Sequence, residues 1–221
     1  MIKSFLISIS FSTLLFSSQQ ILLVVADDFN SSTAKLSCFE GKHKIFDDIN
    51  VNLGKNGLGW GIGIKAIKHD PKEPLKYEGD KRAPAGVFLL TDSFGYTPQP
   101  QGKLPYLYTD KKLICVDDSN SPFYNQIIES NGMEKSFEYM RRHDHQYKIG
   151  IVVSHNPYGV KQRGSCIFLH IEKSKNHPTV GCTSMQEKDL KKIVQWLDKK
   201  KDPILIQIPR KYVKEVESLI K

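Results

Sequence analysis

Two apolar runs near the middle of the chain, YKIGIVVSH (residues 147–155) and SCIFLHI (165–171), constrain the fold more than any other feature. Both are rich in β-branched and aromatic residues, and the turn-forming NPYGVKQRG separates them, so they read as strands joined by a loop. Period-two alternation in the second run places Cys166, Phe168 and His170 on one face and Ile167, Leu169 and Ile171 on the other. The aliphatic face requires a core. His170 therefore points the opposite way, toward whatever the loop 172–183 folds over.

Further strands are expected at 57–67, 85–92, 112–118 and 203–209. Helices are expected at 122–130, behind Pro122, at 133–142 and at the C-terminus over 211–220. The clearest helix follows Cys182, where Leu190, Ile193, Val194 and Leu197 form one apolar stripe. Ser184 with Glu187 has the form of a capping box and sets the helix start just after Cys182. Strands outnumber helices through the middle, which predicts an α+β, β-rich domain. The 221 residues suffice for one core without staples.

Residues 1–26 carry one charge, Lys3, an apolar run at 5–16 and a second patch ending LLVVA. This reads as a secretory signal with cleavage after Ala26, although the polar SSQQ at 17–20 interrupts it. An uncleaved membrane anchor is the alternative. Residues 27–44 read as a polar leader, and 45–221 as the folded domain. An exported chain with four cysteines (Cys38, Cys115, Cys166, Cys182) admits up to two disulfides. The net charge of +8 suits an anionic partner, but the lysines are interleaved with acids as on solvated helix faces, which disfavours nucleic acid.

Taken by residue type alone, Cys182 has four readings: half of a disulfide, a metal ligand, a buried apolar filler or a nucleophile. Zinc is disfavoured, because His143, His145 and His155 make no compact four-ligand spacing with a cysteine. The nucleophile reading has physical support. A thiol is acidified near a helix N-terminus, Gly181 permits a tight turn, and His170 supplies a base on the facing strand.

The blocks KYEGDKRAPAGVFLL, FGY, CVDDSNSPFYN, YKIGIVVSHN, GSCIFLHI and PTVGCTSM occur in this order. Together they resemble the L,D-transpeptidase (YkuD-type) catalytic domain, over roughly residues 45–209, and most closely the branch reading SCIFLH then PTxGC. The resemblance implies a β-rich, sandwich-like fold with a few peripheral helices. It implies Cys182 as nucleophile, His170 as the residue exchanging its proton, and the backbone carbonyl of Ile171 as the group orienting His170. Gly181 and Thr183 fall where that family's turn helps form the oxyanion hole. Val180 stands where the better-known branch has a second histidine, and Ser184 where it has an arginine or asparagine.

The implied partners are peptidoglycan stem peptides in the periplasm or cell envelope, handled by a monomer without cofactor, metal or nucleic acid. Membrane contact is expected only if the N-terminal segment is retained. Candidate substrate anchors are Lys81, Arg82, His155 and Asn156, with His177 as a helper base. Asp117 and Asp118 are expected to fix a loop, and Cys115 to bridge Cys166. With water as acceptor the same chemistry gives a carboxypeptidase or endopeptidase, and without a reactive Cys182 a wall-binding module.

Overall fold

The computed structural model describes residues 18–220. Strands β1 (Gln20–Ala26), β2 (Thr33–Glu40), β3 (His43–Lys44) and β4 (Ile49–Asn52) come first. Next are β5 (Leu58–Trp60), the long β6 (Ala83–Gly95), β7 (Tyr106–Tyr108), β8 (Leu113–Val116), β9 (Ile127–Glu129) and β10 (Phe137–Tyr139). Then follow β11 (Ile149–Val153), β12 (Phe168–Ile171), β13 (Thr183–Met185), helix α1 (Glu187–Trp196), β14 (Ile204–Pro209) and helix α2 (Val213–Val216). With 37% strand and 11% helix the chain is β-rich, as expected.

The main sheet closes on itself. β1 pairs in parallel with β14 and antiparallel with β2, which completes the order β1-β14-β6-β11-β12-β13-β4-β2 as a ring. The two layers expected of a sandwich are opposite sides of this ring, and its core gathers Leu22, Val24, Leu36, Val87, Ile151, Leu169 and Ile206. The stripe Leu190, Ile193, Val194 and Leu197 of α1 joins the same core. Gly150 on β11 is where Phe94 of β6 crosses, and a Cβ there would sit 2.2 Å from the Phe94 ring.

The expected boundary after Ala26 falls at the end of β1. β1 is buried along almost its whole length and is hydrogen-bonded on both edges, so it belongs to the domain. Its uninterrupted apolar run reflects burial on both faces of a strand. The expected polar leader at 27–44 contains β2 and β3, and the domain therefore begins well before residue 45. The apolar run at 5–16 lies outside the described residues. No helix among the described residues is long and apolar enough to cross a membrane.

Two expected helices are absent. Residues 122–130 run through turns into β9, and residues 133–142 contain β10; both strands flank β8 in a small three-stranded sheet. Local side chains intercept the backbone N–H groups that a helix would need. Asp118 Oδ1 accepts from Asn120 N at 2.9 Å, Ser121 Oγ from Phe123 N at 3.1 Å, and Glu134 from Asn131 and Gly132. The expected strand at 57–67 shortens to β5, and the C-terminal helix to the single turn of α2. A disulfide between Cys115 of β8 and Cys166 ties the small sheet to the segment entering β12.

Candidate active site

Cys182 lies between a tight turn and β13 and is buried. Thr179 builds the turn: its Oγ1 accepts the Gly181 N–H at 3.1 Å and donates to the Cys182 carbonyl at 2.6 Å. Gly181 has φ +155°, a conformation that side chains rarely adopt. The Cys182 Sγ accepts the Phe168 N–H at 3.4 Å and faces the Cys166 carbonyl at 3.5 Å. Burial pushes the thiol up to about 12, the charge of Glu138 adds to this, and the Phe168 N–H opposes it.

The expected helix start just after Cys182 does not hold. α1 begins at Glu187 and β13 intervenes, so the sulfur is not at the helix terminus. Ser184 is not the cap. It lies in β13 with its Oγ buried and unpartnered, and Glu187 pairs with Lys148 and Lys191 instead. The cation whose charge favours the thiolate is Lys76. It is 3% exposed and donates to Asp80 Oδ1 and the Tyr77 carbonyl, both at 2.6 Å. A Cβ on Gly181 would lie 3.9 Å from its Nζ, which puts this ammonium behind the turn.

His170 is buried on β12, with Ile171 on the opposite, core-facing side. Its Nδ1 lies 2.8 Å from the Ile171 carbonyl oxygen. That oxygen can only accept, so Nδ1 carries a proton and the neutral ring keeps its lone pair on Nε2. Burial lowers the imidazole to about 4, with the Ile171 carbonyl opposing. The parallel pairing of β12 with β13 sets Leu169 beside Thr183 and His170 beside Ser184, so His170 lies on the strand next to the one that Cys182 leads into. Among the described residues no hydrogen bond joins His170 to Cys182. Burial favours the neutral form of both groups.

Among the expected substrate anchors, Arg82, His155 and Asn156 make contacts within the protein. The Arg82 guanidinium donates to the carbonyls of Phe29 (3.1 Å) and Leu58 (2.8 Å), while the side chain of neighbouring Lys81 is exposed. His155 is buried against Phe88, its Nε2 lies 2.8 Å from the Arg163 carbonyl, and burial lowers it to about 4. The Asn156 side chain clamps its own loop through Val160 and Gly164. Thr183 Oγ1 donates to Gln207 at 2.7 Å, away from the sulfur, and His177 is exposed on the loop before the turn.

Outside the sequence-based set, Tyr147, Glu138 and Lys76 act on the thiol, and Arg142 packs on Tyr147. The Tyr147 ring packs edge-on against Phe168 (5.6 Å) and His170 (5.3 Å), and its hydroxyl donates to Glu138 Oε2 at 2.7 Å. The Arg142 guanidinium lies 5.0 Å over the same ring. With Lys76, these groups set the electrostatics of the site. Lys76 and Tyr147 both fall in blocks quoted above, yet neither type signals a role until the fold buries it. Glu138 and Arg142 were read as faces of a helix that does not form.

A sequence profile of the L,D-transpeptidase catalytic domain, YkuD, matches residues 28–206. The chain belongs to this L,D-transpeptidase family. Comparison with curated proteins found no match, and neither did comparison with solved structures. The matched span runs from the turn after β1 into β14, so it takes in Cys182, His170 and every residue around them in this L,D-transpeptidase domain.

Proposed function

We propose that the chain is a cysteine-dependent L,D-transpeptidase acting on peptidoglycan stem peptides through a thioester. The observation that carries this reading is the fixing of His170 Nδ1 on the Ile171 carbonyl beside the strand that Cys182 leads into. That contact leaves Nε2 as the only ring nitrogen able to receive a proton. As the thiol attacks the donor carbonyl, its proton passes to Nε2, and the ion pair forms during attack. Contact between Nε2 and Sγ is made in the substrate complex.

The Gly181 N–H is engaged by Thr179, which leaves the Cys182 N–H as the donor that the turn offers the developing oxyanion. The tetrahedral adduct collapses by breaking the amide C–N bond. The leaving amine of the terminal D-residue takes the proton from His170, and Cys182 keeps the acyl group. An amine of a second stem then attacks the thioester, yields its proton to His170 and releases the cross-linked product with a free thiol.

Export to the cell envelope is part of the proposal, and the Cys115–Cys166 disulfide supports an oxidising compartment. The test is incubation with purified tetrapeptide muropeptides and mass analysis of the products. Cross-linked dimers with released D-alanine, absent from Cys182→Ser, are expected. Tripeptides alone would show water as the acceptor, and an unchanged substrate would overturn both.

A further inference from the structure

Cys182 and His170 share one face of the β12–β13 pair with a third polar side chain, Ser184, which the proposed mechanism does not use. The register sets His170 directly beside Ser184. One pleat earlier Phe168 lies beside Cys182, and its N–H reaches the sulfur. Partners across a ladder share a face, and so do residues two apart on a strand, so all four side chains point the same way. Thr183 and Met185 point the opposite way, Thr183 to Gln207 and Met185 into the main core.

Ser184 is 1% exposed, and among the described residues its Oγ has no hydrogen-bond partner. Its polar neighbours are committed elsewhere. His170 Nδ1 is held by the Ile171 carbonyl, and Asn52, which pairs with Ser184 from β4, donates to Glu172 Oε2 at 2.8 Å. Tyr147 packs edge-on against the imidazole, with ring centroids 5.3 Å apart. A buried hydroxyl without a partner forfeits its hydration, a loss that alanine at the same position would avoid. The fold therefore keeps a costly group beside its base.

Resting on the transpeptidase reading, we propose that Ser184 is a positioning residue for His170, its Oγ accepting the Nε2–H of the imidazolium while the base holds the thiol proton. The proton balance creates the need. On attack the S–H bond breaks, the S–C bond forms and the proton passes to Nε2. The sulfur is then bonded to carbon and carries no charge with which to receive that N–H. Until the leaving nitrogen takes the proton, the imidazolium is a buried cation, which burial disfavours. A serine oxygen offers it a lone pair without adding charge, and is too weak a base to keep the proton. Cys182 and Ser184 are two residues apart on one face, so a ring that swings toward the sulfur also moves toward Ser184. The contact is made in the substrate complex and involves no substrate atom.

The experiment compares the full chain with Ser184→Ala and Ser184→Thr, by thermal melts and by steady-state turnover of tetrapeptide muropeptides. Ser184→Ala should melt above the parent, because it removes an unpartnered buried hydroxyl. Its kcat should nonetheless fall roughly ten- to a hundredfold, the worth of a hydrogen bond to a charged group, with KM unchanged. Ser184→Thr restores a hydroxyl and should recover part of kcat; if the added methyl prevents folding, Ser184→Ala decides alone. A stabilised variant that turns over more slowly is the result that a structural hydroxyl would not give. An unchanged kcat overturns the proposal, and so does a rise in KM alone or a lower melting temperature that accounts for the lost activity. A wild-type chain without turnover sinks the transpeptidase reading and this inference with it, whereas an active wild type matched by Ser184→Ala sinks the inference alone.

Discussion

His170 Nδ1 lies 2.8 Å from the carbonyl oxygen of Ile171, the next residue along β12, so the tautomer of the base is set by its own strand. Replacing His170 with Gln should lower turnover of tetrapeptide donors by roughly 10²- to 10⁴-fold, the usual worth of a positioned base. Because no resting hydrogen bond joins the two groups, the same substitution should barely change alkylation of Cys182 by iodoacetamide. A large fall in alkylation would show instead that the pair is already ionised in the free enzyme.

The buried thiol, pushed up to about 12, makes its own prediction about pH. Only the thiolate is nucleophilic, so alkylation of the folded chain should be slow at pH 7 and still rising at pH 9. Glu138 raises this thiol by its negative charge, and Glu138→Gln should therefore speed alkylation at pH 8. Tyr147→Phe should act in the opposite sense, since it removes a hydroxyl that favours the thiolate. Stopped alkylation with mass detection, run across pH on all three chains, checks the signs.

Much of this site was legible in the residues. Alternation in SCIFLHI separated the His170 face from the core face, and the structure keeps that separation: Ile167, Leu169 and Ile171 join the main core, while Cys166 and Phe168 cluster with Cys182. What misled was any signal with two physical causes. An apolar run such as QILLVVA serves a signal segment or a strand buried on both faces equally well, and in the structure it pairs with β14 and β2. Ser184 and Glu187 have cap spacing, but Ser184 is taken into β13 and the helix starts later. Lys76, Glu138 and Arg142 were illegible for another reason. Their roles come from long-range packing, which brings separate loops to one sulfur.

The Cys115–Cys166 disulfide closes a loop across 51 residues of sequence and anchors the segment whose carbonyl faces the Cys182 sulfur. Chain-entropy arguments give such a cross-link about 4 kcal/mol. The double variant Cys115→Ser with Cys166→Ser should melt well below the parent. It should also lose more activity than its folded fraction explains, because the Cys166 carbonyl is no longer held against the thiol. Melting followed by circular dichroism, with donor turnover measured below the transition, tests both halves. An unchanged melting temperature would remove the structural role.

Two buried histidines predict the acid stability of the domain. His155 and His170 are each lowered to about 4 from 6.5, chiefly by burial. The unfolded chain therefore binds more protons than the folded one between those values, and stability rises with pH across that window. It is fully present above pH 6.5 and is lost progressively as pH falls toward 4, with a combined effect on the order of several kcal/mol. Asp144, held at about 2 chiefly by its hydrogen bond to Arg142, adds a separate loss only below pH 4. Urea titrations at half-unit steps from pH 7.5 to 4 should show the midpoint falling mainly below 6.5. His155→Gln retains a polar contact without the proton, so it should flatten about half of that slope. A midpoint independent of pH across this window would mean that neither imidazole is held neutral by burial.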